Sequence, residues 1–224
     1  MSVNNLKAQK RGGFYWKEEK PYVSVTEILK VIDKPALRYW FGEQIYWAMV
    51  KDPTLPKEIA MRAPYEVSDK AKSRGTTVHS IVEAYKYTGG EIEVAEEFKG
   101  YQDAFSKFIS DTSSNIIEQE KSVFSETHKY AGTLDLLVEI NGANMIIDVK
   151  TGKDIYREAM IQASAYKQAI NEMGTKVDRA AILLLREDGT YKFEEADELF
   201  DTFLACKTLW EGLNGPMLKK LGYL

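Results

Sequence analysis

GTLDLLVEINGANMIIDVKTG, residues Gly132 to Gly152, decides how the rest of the chain reads. Two apolar runs flank Asn141-Gly142, a strong hairpin signal because both residues tolerate positive φ. With those two as the central turn residues, Ile140 faces Ala143 and Asp135 faces Asp148. Strand side chains alternate, so Asp148 and Lys150 point the same way. Asp135, Asp148 and Lys150 then share one face, and Leu134, Leu136, Val138 and Ile140 the other, with Ile147 and Val149. A four-residue loop, Asn141 to Asn144, would instead pair Asp135 with Lys150 and keep Asp148 diagonal on the same face. Opposed like charges destabilise a strand pair unless compensated. A divalent cation with oxygen ligands would compensate, and Lys150 would help.

The 224-residue chain is long enough for one domain with a sizeable core. It has no run of 18 apolar residues, which argues against a membrane span, and no hydrophobic leader at its start. Cys206 is the only cysteine, which excludes an internal disulfide and a four-cysteine iron–sulfur cluster. A reducing, cytoplasmic setting fits. Net charge is −4, but residues 1–75 carry +5 and residues 76–224 carry −9. Spare carboxylates beside a basic, aromatic-rich N-terminal part suit a metal-dependent enzyme acting on a polyanion.

Residues 1–20 are polar and aperiodic, a flexible tail by this reading. Phe14, Tyr15 and Trp16 break the pattern, either packing on the body or offering π-faces to bases. Ser24 and Glu27 form a capping box for a short helix. Helices are expected at 36–50, mostly buried because it is apolar nearly all round, and at 58–69. Another opens at Gly75, carries His79 and Glu83 one turn apart, and ends at Gly89-Gly90. A helix at 96–110 and a strand at 116–125 precede the hairpin. Then come a helix at 155–173 with Gln162 and Tyr166 on one face, strands at 180–185 and 191–193, and a helix from 197 to 213. The order predicts an α/β fold: a mixed central β-sheet flanked by helices, with a helical N-terminal arm.

Two carboxylates can hold Mg²⁺ or Mn²⁺, and a nearby lysine can position or deprotonate a water or stabilise developing negative charge. Imidazole suits Mn²⁺ better than an all-oxygen Mg²⁺ site, so His79 could complete the set. Gln162 offers amide donors to a phosphate, and Tyr166 can stack or hydrogen-bond beside it.

His79, Gly132-x-x-Asp135, Asp148-Val149-Lys150 and Gln162-x-x-x-Tyr166, in that order, resemble the PD-(D/E)XK nuclease superfamily, in particular its RecB-like branch. The resemblance covers residues 72–195 and rests on the ordered set, since Asp-x-Lys alone is common. It implies a restriction-endonuclease-like core, with residues 21–224 as a single nuclease domain made of an arm at 21–75 and a catalytic core at 76–224. It implies that His79, Asp135, Asp148 and the Val149 carbonyl hold Mg²⁺ or Mn²⁺, with Glu83 as possible support. Lys150 would be the catalytic lysine, and Gln162 and Tyr166 the substrate contacts. Leu134 replaces the proline of the superfamily's name, and the iron–sulfur cysteines of several relatives are missing, so the chain resembles the cluster-free, stand-alone phage type and the mitochondrial genome maintenance exonuclease. The activity implied is metal-dependent DNA hydrolysis, foremost as an exonuclease on single strands or ends in recombination, repair or phage DNA metabolism. The expected setting is the cytoplasm of a bacterial or phage-infected cell, with a separately encoded recombination or replication partner. Alternatives are an endonuclease of the same fold, a nuclease acting on RNA, and a DNA- or partner-binding subunit that does not cleave.

Overall fold

Asn141 and Gly142 have φ of 53° and 78° in the computed structural model, which describes residues 9–223. Both being positive, they make the tight two-residue turn, and Ile140 pairs with Ala143. The four-residue alternative is thereby excluded. The two strands so joined, with their neighbours, make one eight-stranded sheet. In chain order the strands are β1 (Gln9–Arg11), β2 (Phe14–Lys17), β3 (Lys20–Ser24), β4 (Asn115–Ser125), β5 (Tyr130–Ile140), β6 (Ala143–Lys150), β7 (Arg179–Leu185) and β8 (Tyr191–Glu195). Their order across the sheet is β1-β2-β3-β5-β6-β7-β8, with β4 on the other edge of β5. The sheet is mixed, because β3 runs parallel to β5 and β6 parallel to β7, while the other pairs are antiparallel.

The helices are α1 (Val25–Ile28), α2 (Pro35–Lys51), α3 (Lys57–Ala60), α4 (Ala63–Thr88), α5 (Glu96–Thr112), α6 (Arg157–Glu172) and α7 (Phe200–Lys220). α6 and α7 cover one face of the sheet, where Ile146, Ile182, Ala165 and Phe203 pack. α4 and α5 cover the other, where Val78, Phe105, Ile147 and Leu183 pack. The predicted layers are therefore present.

Several local readings change. Residues 9–17, expected in a tail, form a hairpin whose Gly12-Gly13 turn has φ of 60° and 84°. Phe14 and Tyr15 are buried, so this aromatic run packs on the body. Residues 1–8 of the expected tail lie outside the described residues. The helix expected at 58–69 is split between α3 and the start of α4, and α4 runs on through the helix expected from Gly75, crossing the expected boundary between arm and core. Gly75 is helical, and a Cβ there would meet only Thr151 Oγ1, at 3.7 Å. α2 was expected to be mostly buried, and none of its residues is. Its apolar residues meet chiefly α3 and α4, so composition made it apolar without giving it a core to enter. α7 continues past the expected end, through Pro216 to Lys220. Ser24 caps α1 as expected, its Oγ accepting from Glu27 N at 3.1 Å.

Candidate active site

β5 has two neighbours on one edge. β3 pairs with Tyr130 and Ala131, and β6 pairs from Leu136 onward. Gly132 to Asp135 lie between, where β5 and β6 splay apart. A splayed rung leaves a backbone donor that burial would penalise. The Asp135 carboxylate takes it: Val149 N donates to Asp135 Oδ2 at 2.7 Å. The splay also breaks the alternation of faces. Leu134 packs with Leu137 on the α6 side, whereas Leu136 and Val138 pack on the α4 side. The expected grouping of Leu134 with Leu136 therefore fails at this point.

The partner strand is irregular at the same level. β4 pairs Gln119 with Leu136 and Lys121 with Leu134, which sets Glu120 level with Asp135. Glu120 has φ of 48°. A side-chain-bearing residue in the left-handed region is strained by about 1–2 kcal/mol. Such strain gathers where a side chain has to be aimed. His79 on α4 lies against this point, its Nδ1 3.4 Å from Asp135 Oδ1 and 3.9 Å from Glu120 Oε1. Ligand atoms of His79, Glu120 and Asp135 all lie within 4.8 Å of one another. Burial lowers the His79 pKa, but the hydrogen-bonded Asp135 carboxylate more than offsets it, so the net shift is upward.

Asp148 and Lys150 stand beside this group on β6. Asp148 is 4% exposed, and Lys150 Nζ lies 2.6 Å from its Oδ2. That approach is close enough for an ion pair but off the hydrogen-bonding direction, so buried Oδ2 has a charge partner and no aligned donor. Burial pushes the Asp148 carboxyl upward, against the opposing pull of Lys150. Burial would lower Lys150, but the charges of Asp148 and Asp135 win, and its pKa is raised. Lys150 is thus held as a cation, which suits stabilising negative charge better than removing a proton.

α6 closes the other side. Gln162 Nε2 donates to Asp148 Oδ1 and to Tyr166 Oη, each at 3.0 Å. Tyr166 is buried, with its pKa raised by burial and by the charges of Asp148 and Asp135. Gly132 explains how it fits: a Cβ there would lie 2.2 Å from Tyr166 Cε1. The i,i+4 spacing of Gln162 and Tyr166 thus builds one chain of hydrogen bonds ending on Asp148.

The structure brings His79, Asp135, Asp148, Lys150, Gln162 and Tyr166 together. In this state Gln162 and Tyr166 face inward, to Asp148 and the core. Val149 contributes its N–H to Asp135. Glu83 is half-buried one turn beyond His79 and is not among the grouped ligand atoms. Glu120 is the residue that sequence reasoning missed. A four-residue turn at Glu126 to Lys129, which the structure has, sets Glu120 opposite Asp135. That turn was the available signal.

The residues fit a divalent cation. One imidazole and two carboxylates converge, and a third carboxylate has a buried oxygen without an aligned donor. Hard oxygen ligands with one imidazole suit Mg²⁺ or, better, Mn²⁺.

No family model matches the sequence, and no curated protein matches it. Among solved structures, the chain is similar to an alkaline exonuclease from Laribacter hongkongensis: 12% identity, TM-score 0.48, with 91% of this chain and 92% of that chain covered. It is also similar to a candidate exonuclease from Eubacterium rectale: 15% identity, TM-score 0.41, with 69% of this chain and 68% of that one covered. Likeness at this level carries no chemistry, which rests on the chain's own residues.

Proposed function

We propose that this chain is a metal-dependent deoxyribonuclease of the PD-(D/E)XK type, acting as an exonuclease on single strands or ends. The observation that carries the proposal is the convergence of His79, Glu120 and Asp135 beside buried Asp148 and its half-buried ion-pair partner Lys150. His79, Glu120 and Asp135 would hold Mg²⁺ or Mn²⁺, with Asp148 next to them. Such an ion polarises non-bridging phosphate oxygens and lowers the pKa of a bound water.

The chain's own residues do the rest. Asp135 ties β6 to β5 through Val149 N, which fixes where Asp148 and Lys150 stand. Lys150 remains protonated between Asp148 and Asp135 and faces developing negative charge. Gln162 holds Asp148 from the opposite side, and Tyr166 holds Gln162. The splayed strands thereby keep a fixed cluster of charge in a half-buried site, where such charges act more strongly than in open water.

Incubation with end-labelled linear DNA and with a closed circle, in Mg²⁺ and in Mn²⁺, tests the reading. Degradation of the linear DNA alone is expected. Cutting of the circle would make the chain an endonuclease. No cleavage of either with either metal would leave the enzymatic reading untenable.

A further inference from the structure

α2 is a 17-residue helix without one buried residue, and one side of it walls an open cleft. The cleft is about 600 Å³ and lies between α2 and the turn after α1. Leu37 and Phe41 form its apolar wall, and Lys30, Lys34 and Arg38 line it. Tyr65 on α4 meets Phe41 edge-on at 5.3 Å and is 60% exposed. The bases are paired with acids: Lys30 with Glu27, Arg38 with Asp33, and Lys34 with Glu158. Lys30 and Arg38 are 70% and 72% exposed, and pairs that exposed hold little energy, so a phosphate can replace the acid.

The Lys34–Glu158 ion pair joins this cleft to the candidate site. Glu158, the partner of Lys34, lies at the start of α6 and lines a smaller cleft of about 260 Å³ with Lys150, Tyr156 and Gln162. α4 carries Tyr65 at one end and His79 toward the other. A basic groove with an aromatic wall is what an unpaired strand requires: cations follow the backbone and rings take the base faces. A duplex keeps its base faces stacked within itself and gains nothing from the rings.

We propose that this cleft guides one unpaired strand of nucleic acid into the candidate site, with Lys30, Lys34 and Arg38 on its phosphates and Phe41 and Tyr65 against its bases. The inference rests on the nuclease reading and narrows its substrate from single strands or ends to an unpaired strand entering along this cleft. It also accounts for a helix that is apolar nearly all round and has no fully buried residue.

The test uses the full chain in EDTA, with a fluorescein-labelled oligothymidylate and a duplex of the same length, followed by anisotropy. The single strand is expected to bind at least about tenfold more tightly than the duplex. Tyr65→Ala should weaken single-strand binding by about 5–150-fold, the range that one lost stacking contact implies. Lys30→Ala/Arg38→Ala should reduce the slope of log affinity against log salt by about 1.4, from two lost phosphate contacts at about 0.7 each. Both changes are at exposed side chains, and a thermal melt checks that the fold is kept. Unchanged single-strand binding in both variants, or equal binding of duplex, overturns the proposal. So does a wild-type dimer that Tyr46→Glu dissociates without altering DNA binding, which would make the arm a self-association surface. A parallel Mn²⁺ cleavage assay separates the two claims. Strand binding without cleavage overturns the nuclease reading alone, and duplex degradation without strand binding overturns the guide alone.

Discussion

Gly132→Ala tests the link between the fold and the site. The added methyl would lie 2.2 Å from Tyr166 Cε1, 3.0 Å from Cζ and 3.1 Å from Cδ1. Ordinary contact begins at 3.4 Å, so the ring has to retreat by about 1.2 Å. It has nowhere to go, because Tyr166 is 4% exposed and packed within the α6 side of the core. Overpacking of this kind destabilises by about 1–3 kcal/mol. For a chain of this size, that lowers Tm by about 2–12 °C. The ring's movement also breaks its bond with Gln162, whose other bond holds Asp148. A misplacement near 1 Å can slow catalysis by about a hundredfold. The assays are a calorimetric melt and initial rates on end-labelled DNA at a temperature where the variant is folded. Gly212→Ala is the control, since a Cβ there meets nothing within 4 Å. It lies within α7 and should stabilise by about 1 kcal/mol. A Gly132→Ala protein with wild-type Tm and wild-type rate would refute the reasoning.

Other outcomes follow from the same geometry. Gly100→Ala would put a Cβ 1.7 Å from the Glu187 carbonyl oxygen, and backbone yields less than a ring, so its melt should fall further than that of Gly132→Ala. Tyr130→Phe removes the 2.8 Å bond from its buried hydroxyl to Ala165 O and should lower stability by about 1 kcal/mol in a denaturant titration. Mn²⁺ at a hundred times its Kd should stabilise the wild type by about 2.7 kcal/mol, and this gain should vanish in Asp135→Ala. Lys150→Ala should lose cleavage while retaining Mn²⁺ binding by calorimetry; cleavage at the wild-type rate would contradict its assigned role.

The central hairpin was legible because Asn141-Gly142 tolerates the positive φ that a two-residue turn demands, and the turn then fixes the register. That register holds from Ile140–Ala143 to Leu136–Ile147, so the expected rung of Asp135 opposite Asp148 does not form, although both carboxylates and Lys150 still reach one site. The splay was not legible, because it arises from β3 and β6 sharing one edge of β5, a tertiary arrangement that no local pattern records. Leu134 changed sides for this reason, and Glu120 escaped notice because strand periodicity reads it as one more alternating residue. The Gly12-Gly13 hairpin was locally encoded, yet its strands are three and four residues long and too polar to stand out. The exposure of α2 shows the opposite limit. Apolar composition says that a helix has something to cover, and only the tertiary structure says whether anything covers it.

A Mn²⁺-soaked crystal measures the central claim most directly. The account predicts an anomalous peak about 2.0–2.3 Å from His79 Nδ1 and from carboxylate oxygens of Glu120 and Asp135. It also predicts that Glu120→Gln/Asp135→Asn crystals lose that peak. Full-occupancy Mn²⁺ held elsewhere in the molecule, with none between His79, Glu120 and Asp135, would contradict it.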